Sequence, residues 1–141
     1  MCPAEDKRVQ TQPERGPTIL IVEDETLIRM AAAELLRDAG YVVVEAATGE
    51  EARAVLEAGV SVDLIFSDVN MPGVVDGLTL AKWTGAWPNP PIVMLTSGVP
   101  EMLTQARTQC SNVRSLLLKP YAYDDFERRV RELLPLPQSS D

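Results

Sequence analysis

Five short apolar runs recur along this chain, and a stretch with helical spacing follows each of them. The runs are TILIV (residues 18–22), YVVVEA (41–46), VDLIFSD (62–68), PPIVMLTS (90–97) and VRSLLLKP (113–120). TILIV is the clearest: with no polar alternation, it suits a strand buried on both faces. The stretches that follow are TLIRMAAAELLRDAG, GEEARAVLEAG, DGLTLAKWTGAW, PEMLTQARTQC and YDDFERRVRELL. Strands that alternate with helices in this way predict an α/β, doubly wound, five-stranded parallel sheet with helices on both faces.

Local signals set the expected ends of these elements. In the first helix Leu27, Ala31, Leu35 and Ala39 share one predicted face, and Gly40 fits the stop. Thr48 is a predicted N-cap, with Glu51 completing a capping box and Gly59 ending the helix. Asp76 fits the N-cap of the third helix, and the fifth carries Tyr123, Phe126, Val130 and Leu133 at helical spacing. Residues 1–17, with Pro3, Pro13 and Pro17, show no apolar period and read as a disordered tail. The expected domain is 18–135, with a short tail over 136–141.

Charge narrows the function classes. The 141 residues carry 13 basic and 21 acidic side chains, a formal charge of −8. That balance argues against a nucleic-acid binder working by phosphate attraction, and against docking on an anionic membrane. No run approaches the roughly 18 apolar residues of a membrane span. Cys2 and Cys110 do not make a disulfide framework, and a reduced pair in the cytoplasm is expected. With no histidine, the chain has neither an imidazole base nor a phosphohistidine of its own.

In a doubly wound sheet the functional crevice lies beyond the carboxyl ends of the strands. There the chain places Glu23, Asp24 and Glu25 after the first strand, Asp68 after the third, Thr96 and Ser97 after the fourth, and Lys119 after the fifth. The second strand offers Glu45. Taken singly, the acidic triplet reads as readily as helix caps or solvated turn residues as it does as a functional group, Thr96 reads as a capping hydroxyl and Lys119 as a surface lysine. Met71, Trp83 and Trp87 read as packing residues.

Together these strand ends carry chemistry. Crowded carboxylates raise one another's pKa unless a cation sits among them. Carboxylates with a backbone carbonyl and water are hard oxygen ligands, suited to Mg2+. Such a site invites a phosphoryl group, with Lys119 as a point charge and Thr96 as a hydrogen-bond donor. Asp68 is the carboxylate left to attack phosphorus.

At ILIVEDE, DLIFSDVNMPGVVDGLTLA, PIVMLTSG and LLLKPY the chain resembles the bacterial response-regulator receiver domain of two-component signalling, of the stand-alone type. The resemblance implies a flavodoxin-like strand order 2-1-3-4-5. It also implies Asp68 as phospho-acceptor, Thr96 and Lys119 beside the phosphoryl group, and a cis Lys119–Pro120 bond. It assigns Asp24 to Mg2+ directly, Glu23 through water, and Asn70 through its backbone carbonyl. Three departures stand out. Leu116 occupies the usual aromatic switch position, the loop MPGVVDG is one residue longer than the common form, and Gly98 puts no side chain beside the acceptor.

The expected function is a cytoplasmic phosphoprotein that takes a phosphoryl group from a histidine kinase or a histidine phosphotransfer protein. It is not a metabolic enzyme, although it would catalyse its own phosphorylation and dephosphorylation. Its output would be contact with a downstream protein, or onward phosphorelay, with the fourth helix, the fifth strand and Tyr121 as the expected surface. Two alternatives are a pseudo-receiver never controlled by phosphorylation and a Mg2+-dependent phosphohydrolase working through an aspartyl-phosphate. A phosphohydrolase would want a second acid two residues after the nucleophile, where this chain has Asn70.

Overall fold

The computed structural model describes residues 16–70, 73 and 75–136. Five strands, β1 (Thr18–Val22), β2 (Val42–Ala46), β3 (Leu64–Asp68), β4 (Ile92–Ser97) and β5 (Val113–Leu118), form one sheet. The strand order is β2-β1-β3-β4-β5, and all four pairings are parallel. Five helices alternate with them: α1 (Thr26–Ala39), α2 (Gly49–Glu57), α3 (Gly77–Gly85), α4 (Pro100–Gln109) and α5 (Tyr123–Leu133). The expected tails fall largely on residues 1–15 and 137–141, outside the described residues, as does Cys2.

Strand side chains alternate between the two faces of a sheet, and this builds two cores from one set of strands. Ile19, Ile21, Leu64, Phe66, Met94 and Leu117 pack under α1 and α5 with Leu36, Phe126 and Val130. Leu20, Val22, Ile65, Val93 and Leu95 pack on the opposite face with Leu56 of α2, Leu80 of α3 and Leu103 of α4. Every residue of β3 is buried, as its central place in the sheet demands.

The predicted caps form. Thr48 Oγ1 accepts from the Glu51 backbone N–H at 3.0 Å, and Glu51 reaches back to Ala47 N–H at 2.7 Å. Asp76 Oδ1 accepts from Thr79 N–H at 2.9 Å, and Gly40 and Gly59 follow their helices with positive φ. Trp83 and Trp87 meet edge-on and Arg53 lies over the Trp83 ring, so the tryptophans are packing residues; Met71 is outside the described residues.

One expectation holds only in part. The buried side of α1 is Ala32, Ala33 and Leu36, whereas Leu27 is 81% exposed and Ala31 is exposed. A row at four-residue steps drifts about 40° per step around a helix of 3.6 residues per turn. Only the later half of the row, Leu35 and Ala39, packs partly against the core, and Ala32, Ala33 and Leu36 form the buried stripe.

Candidate functional site

Strand register assembles the site. Asp68 is the direct partner of Thr96 in the β3–β4 pairing, and Val22, just before Glu23, pairs with Ser67. Lys119 follows β5 at the same edge, its backbone N–H donating to Ser97 O at 2.9 Å. The Lys119–Pro120 bond is cis.

The carboxylates and the lysine meet. Lys119 Nζ donates to Asp68 Oδ2 at 2.6 Å and to Glu23 Oε1 at 3.5 Å. Asp68 Oδ1 accepts from the Asn70 backbone N–H at 3.1 Å. Glu23 Oε2 accepts from Glu25 N–H at 3.0 Å, while Asp24 is exposed at the mouth. Thr96 is fully buried, and its hydroxyl has no hydrogen-bond partner in the structure. A buried orphan hydroxyl costs about 1–3 kcal/mol, so it stands ready for an acceptor brought to the site.

Burial raises the pKa of Glu23 against the opposing pull of the Glu25 N–H and Lys119. For Lys119 burial acts downward, but the hydrogen bond and charge of Asp68, with the charge of Glu23, outweigh it and hold the ammonium above its usual value. Among the described residues no three His, Cys, Asp or Glu side chains group closely enough to hold a metal ion. The donor set still fits Mg2+, which takes one or two protein carboxylates and keeps several waters.

The raised pKa of Glu23 gives a stability prediction. Its contribution is complete below about pH 4.5 and is lost as the pH rises through the higher folded value. Glu23→Gln, neutral throughout, should therefore melt higher than the parent at pH 7 without divalent cation, and the gap should close toward pH 4.5. Equal melting temperatures at pH 7 would mean that Glu23 is not strained by burial.

Three supporting contacts were not legible in the sequence. Arg29 donates to Glu23 O at 2.9 Å and to Glu45 Oε1 at 3.3 Å, tying the end of β2 to the acidic triplet. Glu50 Oε2 accepts from Val75 N–H at 3.4 Å, and a Cβ on Gly49 would lie 1.9 Å from Val75 O. Val75 thus seats on the start of α2; Met71, Pro72 and Val74 are outside the described residues. Gly77 serves a similar close approach, because a Cβ there would lie 2.3 Å from Asp68 O. The third contact joins Asn70 to Met102: Asn70 Nδ2 donates to Met102 Sδ at 3.0 Å.

Beside Lys119 a cleft of about 430 Å³ is lined by Ile28, Pro120, Tyr121 and Tyr123. The Tyr121 ring meets Phe66 edge-on at 6.0 Å, and burial raises its hydroxyl pKa, helped by Tyr123, Glu23 and Asp68. No helix among the described residues is long and apolar enough to cross a membrane.

Comparison with known proteins gives the same assignment. The family model of the response regulator receiver domain matches residues 19–131. The transcriptional regulatory protein PdtaR of Mycobacterium tuberculosis is 39% identical over 109 residues, covering 77% of this chain and 52% of its own length. The chain thus spans about half of that relative. The crystal structure of the receiver domain from the hybrid histidine kinase CckA superposes with a TM-score of 0.68 at 40% identity, covering 83% of this chain and 98% of that one. The response regulator TrrA of Thermotoga maritima, solved in complex with Mg2+-BeF, gives 0.69 at 28% identity over 84% of this chain and 99% of that one. A sheet edge that gathers Glu23, Asp68, Thr96 and Lys119, on a fold shared with these proteins, leads to one conclusion: the chain belongs to the response regulator receiver domain family of two-component signalling.

Proposed function

We propose that this receiver takes a phosphoryl group onto Asp68 from the phosphohistidine of a histidine kinase or a histidine phosphotransfer protein. The observation that carries the reading is the held acceptor. Asp68 is fixed by Lys119 at 2.6 Å and by Asn70 N–H at 3.1 Å, beside the unpartnered Thr96 hydroxyl. In the transfer an Asp68 carboxylate oxygen bonds to phosphorus as the bond from the partner's imidazole nitrogen breaks, leaving a neutral imidazole. Lys119 balances charge on the phosphoryl oxygens, and Thr96 donates to one of them. Glu23, Asp24, Asp68 and the Asn70 carbonyl would hold Mg2+, which when bound neutralises charge on those oxygens.

Leu27 and Met30 stand exposed on α1, the helix whose Ile28 lines the cleft at Lys119, and they offer a phosphodonor an apolar seat. The added charge, by drawing in Thr96, shifts the population of a surface formed by α4, β5 and Tyr121 that binds a downstream protein or passes the phosphoryl group on. Cys110, buried and unpaired, suits the reducing cytoplasm assigned in this reading. The domain is taken as 18–135.

Acetyl phosphate with Mg2+ should add one phosphoryl mass to the protein, and Asp68→Asn should remove the adduct. An adduct that persists in Asp68→Asn overturns the acceptor assignment. No adduct on the parent protein favours a fixed interaction module.

A further inference from the structure

We propose that Met102 is a positioning residue for the acceptor turn: its thioether holds the Asn70 side chain against α4 and releases it when Asp68 is charged, an inference that rests on the phospho-acceptor reading above. Asn70 links the site to α4 through two hydrogen bonds. Its backbone N–H donates to Asp68 Oδ1 at 3.1 Å, and its side-chain amide donates to Met102 Sδ at 3.0 Å. Met102 is half-buried, lies in the first turn of α4 and packs on the core beneath that helix.

The surroundings leave this contact prominent. Val99, at the start of α4, makes no side-chain capping bond, and a Cβ on Gly98 would meet nothing within 4 Å. Leu116 has no hydroxyl to swing toward Thr96. The Asn70–Met102 bond therefore joins the acceptor turn directly to the first turn of α4.

The bond suits release because of what accepts it. A thioether sulfur is a weak acceptor. A phosphoryl oxygen carries charge, and bonds to it are about twice as strong as neutral ones. A phosphoryl group on Asp68 arrives next to Asn70 and offers its amide the better partner. A contact made only before charging opposes charging by its own free energy, and breaking it frees the first turn of α4.

Two variants separate this role from packing. Met102→Leu keeps the apolar volume but loses the acceptor. Met102→Gln offers an amide oxygen, a stronger acceptor than sulfur. With saturating Mg2+, beryllofluoride should bind Met102→Leu about two- to fivefold more tightly than the parent, and Met102→Gln about two- to fivefold more weakly, as a weak hydrogen bond removed or strengthened implies. Amides of residues 104–108 should exchange severalfold faster in the parent once Mg2+ and beryllofluoride are added. In Met102→Leu they should be fast without them. Shifts in the same direction for both variants, or no shift in either, overturn the positioning role and leave the receiver reading standing. Failure of the parent to bind beryllofluoride with Mg2+ overturns both.

Discussion

Lys119→Ala is expected to slow phosphorylation of Asp68 by about 10²- to 10³-fold, the usual effect of removing one donor aimed at transition-state charge. The position of the lysine fits that task. It reaches Asp68 at 2.6 Å and Glu23 at 3.5 Å, and these two carboxylates raise its pKa against the pull of burial. Because its folded pKa is raised, its charge is complete below about pH 10.5, and its contribution to stability is lost only as the pH rises through the folded value. Neutral-pH assays therefore read the charged form alone. Rates of acetyl phosphate labelling, followed by mass at fixed Mg2+, measure the effect. Lys119→Arg should recover only part of it, since the guanidinium is a planar fork rather than a compact charge. A loss below tenfold in Lys119→Ala would remove the lysine from the phosphoryl site.

Phe126→Ala is expected to lower stability by about 3–5 kcal/mol, the cost of a cavity left by a large buried ring. Phe126 is fully buried, its ring 4.5 Å from Phe66 and 5.7 Å from Tyr121. Phe66 lies on β3 two residues before Asp68. The ring thus supports both the strand that carries Asp68 and the segment that follows Lys119. Urea unfolding should show a lower midpoint with an unchanged slope, since the surface exposed on unfolding stays nearly the same. A loss under 1 kcal/mol would mean that α5 is not needed to hold the sheet.

Much of the site is visible in the sequence for a geometric reason. In a parallel sheet every strand runs the same way, so residues that end strands share one edge whatever the helices do. Glu23, Asp68, Thr96 and Lys119 could be collected on that ground, and the register between β3 and β4 sets Asp68 beside Thr96. Thr48, Asp76 and Gly40 were equally legible, because a cap acts within a few residues of itself.

Other features depend on how elements cross. The row from Leu27 to Ala39 was placed on one helical face, but docking on the strands buried Ala32, Ala33 and Leu36 fully and only Leu35 and Ala39 of the row partly. No local pattern links Arg29 with Glu45, or Glu50 with Val75, since each pair meets only after separate elements dock. Asn70 and Met102 lie 32 residues apart, and only the packing of α4 brings them together.

The sequence by itself therefore determined the alternating fold and the residues at the rim, because periodicity, capping and strand polarity are short-range properties, while the family resemblance rested on its four motifs. Only the tertiary structure decided that Lys119 bridges Asp68 and Glu23, that Thr96 is left without a partner, and that Asn70 meets Met102 of α4. Those outcomes depend on helix–sheet docking angles and on buried side chains competing for few partners, which no stretch of the chain encodes alone.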